Sequence, residues 1–181
     1  MYDMYDINTI SPEQYLSDNY LVLDFETTKS PHHLAVDGQS ALCLASWLKD
    51  GVMKSVFGDE LHQGELLAAI ETVDFVVAHN IKFEAGWLKR MGYPLRKLLS
   101  WDTMLAEWIF SAGINRPKGY YSLQQTSLRY GYKGKIDVVK ALWDVGVETY
   151  DIPSKLLKAY CERDVMLCHE IFLRQRERMC E

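Results

Sequence analysis

The stretch LVLDFETTKS, residues 21–30, sets the strongest constraint on how this chain can fold. Leu21-Val22-Leu23 reads as the middle of a buried strand, yet Asp24 and Glu26 follow at once. Side chains alternate along a strand, so these two acids share one face while Leu23 and Phe25 share the other. Neighbouring carboxylates repel, and taking them out of water unpaired is costly. Lys29 is the only cationic residue close by in sequence, which makes a bound metal ion the first candidate for the positive charge between them. The plainer alternative is a strand that simply ends at an exposed acidic turn.

The remaining segments read as a frame around that strand, taken as residues 19–26. Residues 41–58 predict two strands turning at Lys49-Asp50-Gly51, an Asp-Gly hairpin signal. A short helix over 65–72 leads into a buried strand, DFVVAHN, over 74–80. Ile81, Ala85 and Leu88 then recur at helical spacing, with Gly92 as the stop. Residues 98–110 run from a short apolar strand into a helix capped near Asp102. A loop with Pro and Gly over 113–119, a short helix ending at Gly131, a basic loop over 133–140 and a long helix over 154–179 complete the chain. Strands first, then strand alternating with helix, predicts an α/β fold with a mixed β-sheet flanked by helices. With no repeat or linker-like stretch, residues 1–181 read as one domain.

Composition narrows the function classes. At 48% hydrophobic and 25% charged the chain is neither disordered nor fibrous, and no apolar run reaches the roughly 18 residues of a membrane span. The acidic N-terminal stretch, MYDMYDINTISPEQYL, lacks signal-peptide character, so the expected location is cytoplasmic. Cys43, Cys161, Cys168 and Cys180 form no CxxC pair and are expected to be reduced and structural. The histidines at 32, 33, 62, 79 and 169 show no metal-binding spacing either. A net charge of −5 argues against a surface that wraps long nucleic acid, but not against an enzyme gripping a few nucleotides through metal ions.

Further acids fall at suggestive places, each with an ordinary explanation beside it. Glu84 follows a strand ending at His79-Asn80 and sits in the first turn of a helix, where the dipole alone favours an acid. Asn80 suits a turn in any protein. Tyr160 and Asp164 are four apart on a helix and share a face close to Leu157, Val165, Cys168 and Phe172; a boundary tyrosine and a surface aspartate would look the same. Asp102 before Thr103 reads as a helix N-cap. Should Asp24, Glu26, Glu84 and Asp164 converge, cations would be needed, and two divalent ions about 4 Å apart suit phosphodiester hydrolysis.

LDFET, HNIKFE and YCERD resemble, in order and spacing, the three motifs of the DnaQ-like 3′-5′ exonucleases, and the tyrosine four before the last acid is similar to the DEDDy branch. WDTMLAEWIF, SLQQTSLRYG and VGVETYDIPSKLLKAYCERDV resemble connecting segments of the exonuclease domain of family A (polymerase I type) DNA polymerases, phage-encoded ones especially. The resemblance covers about residues 19–175 and implies a ribonuclease H-like fold. It implies Asp24, Glu26, Glu84 and Asp164 as ligands of two divalent metal ions, Mg²⁺ or Mn²⁺. Tyr160 matches the residue that orients the attacking water; a free tyrosine, with a pKa near 10, is a poor base but a good hydrogen-bonding guide. Asn80 falls where the family places a contact to the terminal nucleotide, and Thr27, just past the acid pair, is placed to offer its backbone N–H or hydroxyl to the 3′ end. One departure is Glu84, where the family usually carries aspartate; the extra methylene bears on metal geometry.

The implied activity is 3′-5′ hydrolysis of DNA at single-stranded or frayed ends, in proofreading or end trimming. No polymerase domain fits within 181 residues, so a proofreading role calls for a separately encoded DNA polymerase. Two alternatives stand beside it: an exoribonuclease of the ribonuclease D type, and a non-catalytic nucleic-acid-binding module.

Overall fold

The computed structural model describes residues 12–28, 41–58, 60, 64–134 and 137–180. Lys29 and the histidines at 32, 33 and 62 lie outside the described residues, as do most of the N-terminal stretch and part of the basic 133–140 segment.

Strand β1 (Tyr20–Thr27) is the middle of a five-stranded sheet. It pairs antiparallel with β2 (Leu42–Lys49) and parallel with β4 (Phe75–Ala78); β3 (Val52–Phe57) and β5 (Ser100–Asp102) form the edges. The order β3-β2-β1-β4-β5 is the mixed sheet that the alternation of elements predicts. The β2–β3 hairpin turns at Asp50 and Gly51, both with positive φ (51° and 75°), the backbone that a two-residue turn of matching twist demands.

Helices cover both faces. On one lie α1 (Glu65–Ile70) and α2 (Lys82–Arg90), packed on Leu21, Leu23, Phe25, Trp47 and Val76 through Leu66, Ile70, Trp87 and Leu88. On the other lies α6 (Ser154–Met179), whose Val165, Cys168, Ile171 and Phe172 meet Val22, Phe75, Val77 and Trp101. Both faces of β1 are therefore buried, which explains its unbroken apolar start. Leu21, Val22 and Leu23 are almost wholly shielded from water. Each such burial contributes about 1.5–3 kcal/mol, enough to anchor a strand that ends in charge.

Helices α3 (Thr103–Phe110) and α4 (Leu123–Arg129) pack on α6. Between α3 and α6 lies a buried polar knot centred on Gln175. Its amide nitrogen donates to the Thr103 carbonyl (2.9 Å) and Glu107 Oε1 (3.0 Å), and its oxygen accepts from Trp101 Nε1 (3.0 Å). Glu107 is closed off further by Arg129 and Tyr130.

One expectation fails. The 133–140 segment is not loop throughout, because α5 (Asp137–Asp144) begins inside it. The basic residues draw the eye, but Val139, Leu142 and Trp143 recur at helical spacing and join a third apolar cluster with Leu44, Ile152 and Leu157. Tertiary burial decides the structure there, not local polarity.

Candidate active site

Asp24 and Glu26 lie within strand β1, not in a turn at its end. The strand continues through Thr27, with Asp24 facing Ser46 and Glu26 facing Leu44 across the ladder. Glu26 is buried and Asp24 half-buried, on the same side of the strand as Val22 and so toward α6. The register shifts between Glu26 and Thr27, an irregularity of the kind that re-aims side chains where a strand must stop serving the core. Thr27 is half-buried just past it.

Helix α6 closes the site from above. The Cys161 thiol donates to Asp24 Oδ2 (3.4 Å) and to the Asp24 carbonyl (3.5 Å). Asp24, Glu26 and Cys161 bring one potential ligand atom each to within 4.8 Å of the others. Cys161, Asp164 and Cys168 stand at i, i+3 and i+7, hence on one helix face. Cys161 touches Asp24, and the Cys168 thiol feels the charges of Asp24, Glu84 and Asp102. Asp164 lies between these two and is buried, so its carboxylate belongs to the same face.

Glu84 approaches from the other layer. It lies in the first turn of α2 but is only 2% exposed, which a residue serving the helix dipole alone has no need to be. Its Oε2 is buried with no hydrogen-bond partner among the described residues. Burial, then the nearby charge of Asp24, holds the Glu84 carboxyl well above its usual range, with Asp102 adding to the rise and its own backbone N–H opposing it. Burial also lifts the Cys161 thiol well above the ordinary range, helped by Asp24 and Glu26.

Around this acidic centre the junctions are tied together. Asp102 caps α3 as its sequence position predicts, with Oδ1 accepting from Met104 N (2.9 Å) and Leu105 N (3.2 Å). The same oxygen accepts the Asn80 backbone N–H (2.9 Å), locking the end of β4 to the start of α3. Asn80 holds a left-handed φ of 70°, which asparagine tolerates better than most residues, and is half-buried beside the site. His79 is a strut: Nε2 bonds the Tyr121 carbonyl (2.8 Å), and Nδ1 the Thr103 hydroxyl (2.9 Å). Tyr160 is buried on the α5 flank, its ring edge-on to Trp143 with centroids 5.5 Å apart.

The structure thus brings Asp24, Glu26, Glu84 and the Asp164 face of α6 to one end of the sheet, with Thr27 and Asn80 at or just past the ends of β1 and β4 and Tyr160 on the α5 flank of α6. Sequence reasoning missed the contact of Cys161 with Asp24. It also missed the Asp102–Asn80 tie and the Trp143 contact. All four cysteines are free thiols; Cys161 and Cys168 are buried, Cys43 is half-buried and Cys180 is exposed.

The donor set fits a divalent cation. Two unit negative charges 4.8 Å apart repel by about 3 kcal/mol at an effective dielectric of about 20, so both ionise together only with compensation. Glu84 Oε2, without a hydrogen-bond partner among the described residues, offers a further buried oxygen near Asp24.

No protein-family model matches the chain, and no curated protein matches it in sequence. Among solved structures it is similar to the catalytic core of RRP6 from Trypanosoma brucei, with a TM-score of 0.58 and 16% identity. The match covers 90% of this chain and 41% of that one, so the chain spans well under half of that structure. At this identity the likeness is one of fold, and the fold is the α/β, ribonuclease H-like arrangement of a mixed five-stranded sheet between helices.

Proposed function

We propose that the chain is a metal-dependent 3′-5′ exonuclease that removes nucleotides from the 3′ end of DNA. The observation that carries this reading is the buried Glu84 carboxylate set against the charge of Asp24, at the end of the strand that also bears Glu26. A protein gains nothing in stability from that arrangement unless a cation joins it. Its place agrees with the chemistry, since crevices at the carboxyl ends of parallel strands are where open α/β sheets bind ligands. The fold shared with a catalytic core supports an enzyme over a non-catalytic binding module.

Asp24, Glu26, Glu84 and Asp164 are the residues to hold two ions, Mg²⁺ or Mn²⁺. When bound, such ions supply Lewis-acid stabilisation of charge on the scissile phosphate and ease ionisation of the attacking water. The protein does the positioning. Tyr160, its ring held edge-on to Trp143, would orient the attacking water through its hydroxyl, a role of positioning rather than proton abstraction. Thr27, at the strand irregularity, and Asn80, pinned through its backbone to Asp102, hold the terminal nucleotide. Frayed or single-stranded ends are the preferred substrate, because the terminal nucleotides must leave the duplex to reach a recessed acidic site. We assign the role to proofreading or end trimming in DNA replication.

The test is digestion of a 5′-labelled DNA oligonucleotide and its RNA counterpart with Mg²⁺ or Mn²⁺. The expected result is a ladder of shortened labelled DNA that disappears in EDTA. A ladder on RNA with little on DNA would move the assignment to a ribonuclease D type activity, because the 2′-OH is what such a site accepts or excludes. No shortening of either with any divalent ion would leave the binding-module alternative.

A further inference from the structure

Cys161 is wholly buried where the apolar cluster of Leu44, Ile152 and Leu157 meets the acid pair, and its sulfur touches Asp24. Thiolate sulfur is a soft ligand that favours zinc-like ions, whereas carboxylates also suit Mg²⁺ and Mn²⁺. A tetrahedral ion with sulfur at about 2.3 Å and oxygen at about 2.1 Å holds those two ligand atoms about 3.6 Å apart. Cys161 Sγ and Asp24 Oδ2 stand 3.4 Å apart, and the sulfur, one Asp24 oxygen and one Glu26 oxygen lie within 4.8 Å of one another. The buried Oε2 of Glu84, without a hydrogen-bond partner among the described residues and within the field of Asp24, gives a second and separate indication that the cluster is shaped for a cation.

We propose that Asp24, Glu26 and Cys161 form a mixed oxygen–sulfur site for a thiophilic divalent cation, zinc or cadmium in character, that competes with the hard ions serving catalysis. The inference rests on the reading of Asp24 and Glu26 as cation ligands. Binding replaces the S–H bond by a sulfur–metal bond and releases the proton to solvent, with no change of oxidation state. The consequence is reversible inhibition: an ion held by the thiolate occupies the acid pair in a geometry set by sulfur.

The test titrates Cd²⁺ into the full chain and follows the thiolate-to-cadmium charge-transfer band in the ultraviolet. Wild type should show a band saturating at one ion per chain, retained in Cys43→Ser and Cys180→Ser and lost in Cys161→Ser and Cys161→Ala. Asp24→Asn keeps the thiol and should bind Cd²⁺ about tenfold more weakly or worse, since even an outer partner of a metal ligand is worth that much. Should neither Cys161 variant fold by circular dichroism, the Asp24→Asn affinity decides alone. A band that survives both Cys161 variants, or an affinity indifferent to Asp24→Asn, overturns the proposal. Cleavage with Mg²⁺ but no Cys161-dependent band sinks this site and leaves the nuclease reading intact. A Cys161-dependent band in a chain that cleaves nothing does the reverse.

Discussion

Replacing Glu84 by glutamine keeps the size of the side chain and deletes its charge. In the cation-free protein that charge is a liability. The carboxyl is buried, its Oε2 has no hydrogen-bond partner among the described residues, and Asp24 adds like-charge repulsion. A buried group left in this state costs about 1–3 kcal/mol, more when charged. With chelator at about pH 7.5, Glu84→Gln should therefore be more stable than wild type by about 2 kcal/mol. For a domain of this size that is a rise in Tm of about 4–8 °C. The pH dependence has a definite sign. Glu84 has a folded-state pKa raised above its ordinary 4.5, so the folded state binds the extra proton and stability declines as pH climbs above that value. At about pH 4 the group is protonated in folded and unfolded chains alike, and the gap between variant and wild type should close. Divalent metal should then oppose the effect. At a hundredfold excess over Kd a ligand adds about 2.7 kcal/mol to the protein that binds it, and the Glu84→Gln variant, short of one ligand charge, gains less. Thermal unfolding at two pH values, with EDTA and with Mn²⁺, measures all of this. A Glu84→Gln chain less stable than wild type in EDTA at neutral pH would refute the buried-charge argument. A stability gap that does not change with pH would do the same.

Other perturbations separate catalysis from folding. Asp24→Ala and Asp164→Ala should each abolish 3′-end shortening, checked by the labelled-oligonucleotide assay; full activity in either would remove that residue from the ligand set. Tyr160→Phe should slow single-turnover cleavage about a hundredfold while binding of the oligonucleotide stays close to wild type, because only an orienting hydroxyl is lost. Gln175→Leu should destabilise the fold by about 2–4 kcal/mol in urea unfolding, since it strands Trp101 Nε1 and removes one bond each from the Thr103 carbonyl and Glu107, and should leave the cleavage rate per folded molecule unchanged.

How much of this was legible in the sequence follows from how many levels of structure each feature needs. β1 was legible because its signal is local: an apolar run buried on both faces, then two acids on one side. The hairpin was legible because Asp50-Gly51 satisfies a backbone demand that few other pairs meet. The Asp102 cap was legible as a cap, but its bond to Asn80 was not, since the parallel pairing of β4 with β5 is what brings positions 80 and 102 together. For the same reason α5 was misread. Its polar residues lie in the sequence for anyone to see, whereas the apolar cluster that receives Val139 exists only once β2 and α6 have met.

Glu84 and Cys161 mark the opposite limit. At position 84 the dipole explanation and the ligand explanation predict the same residue at the same turn, and burial alone distinguishes them. At position 161 a small, apolar-seeming residue fits any helix packed on a sheet, so nothing local announces that its sulfur meets Asp24. Residues whose type is compatible with packing and with chemistry alike are where sequence reading runs out. They are also where a cation has most to do: the ion that relieves the charge on Glu84 and Asp24 would bind beside a thiol able to change which ion that is.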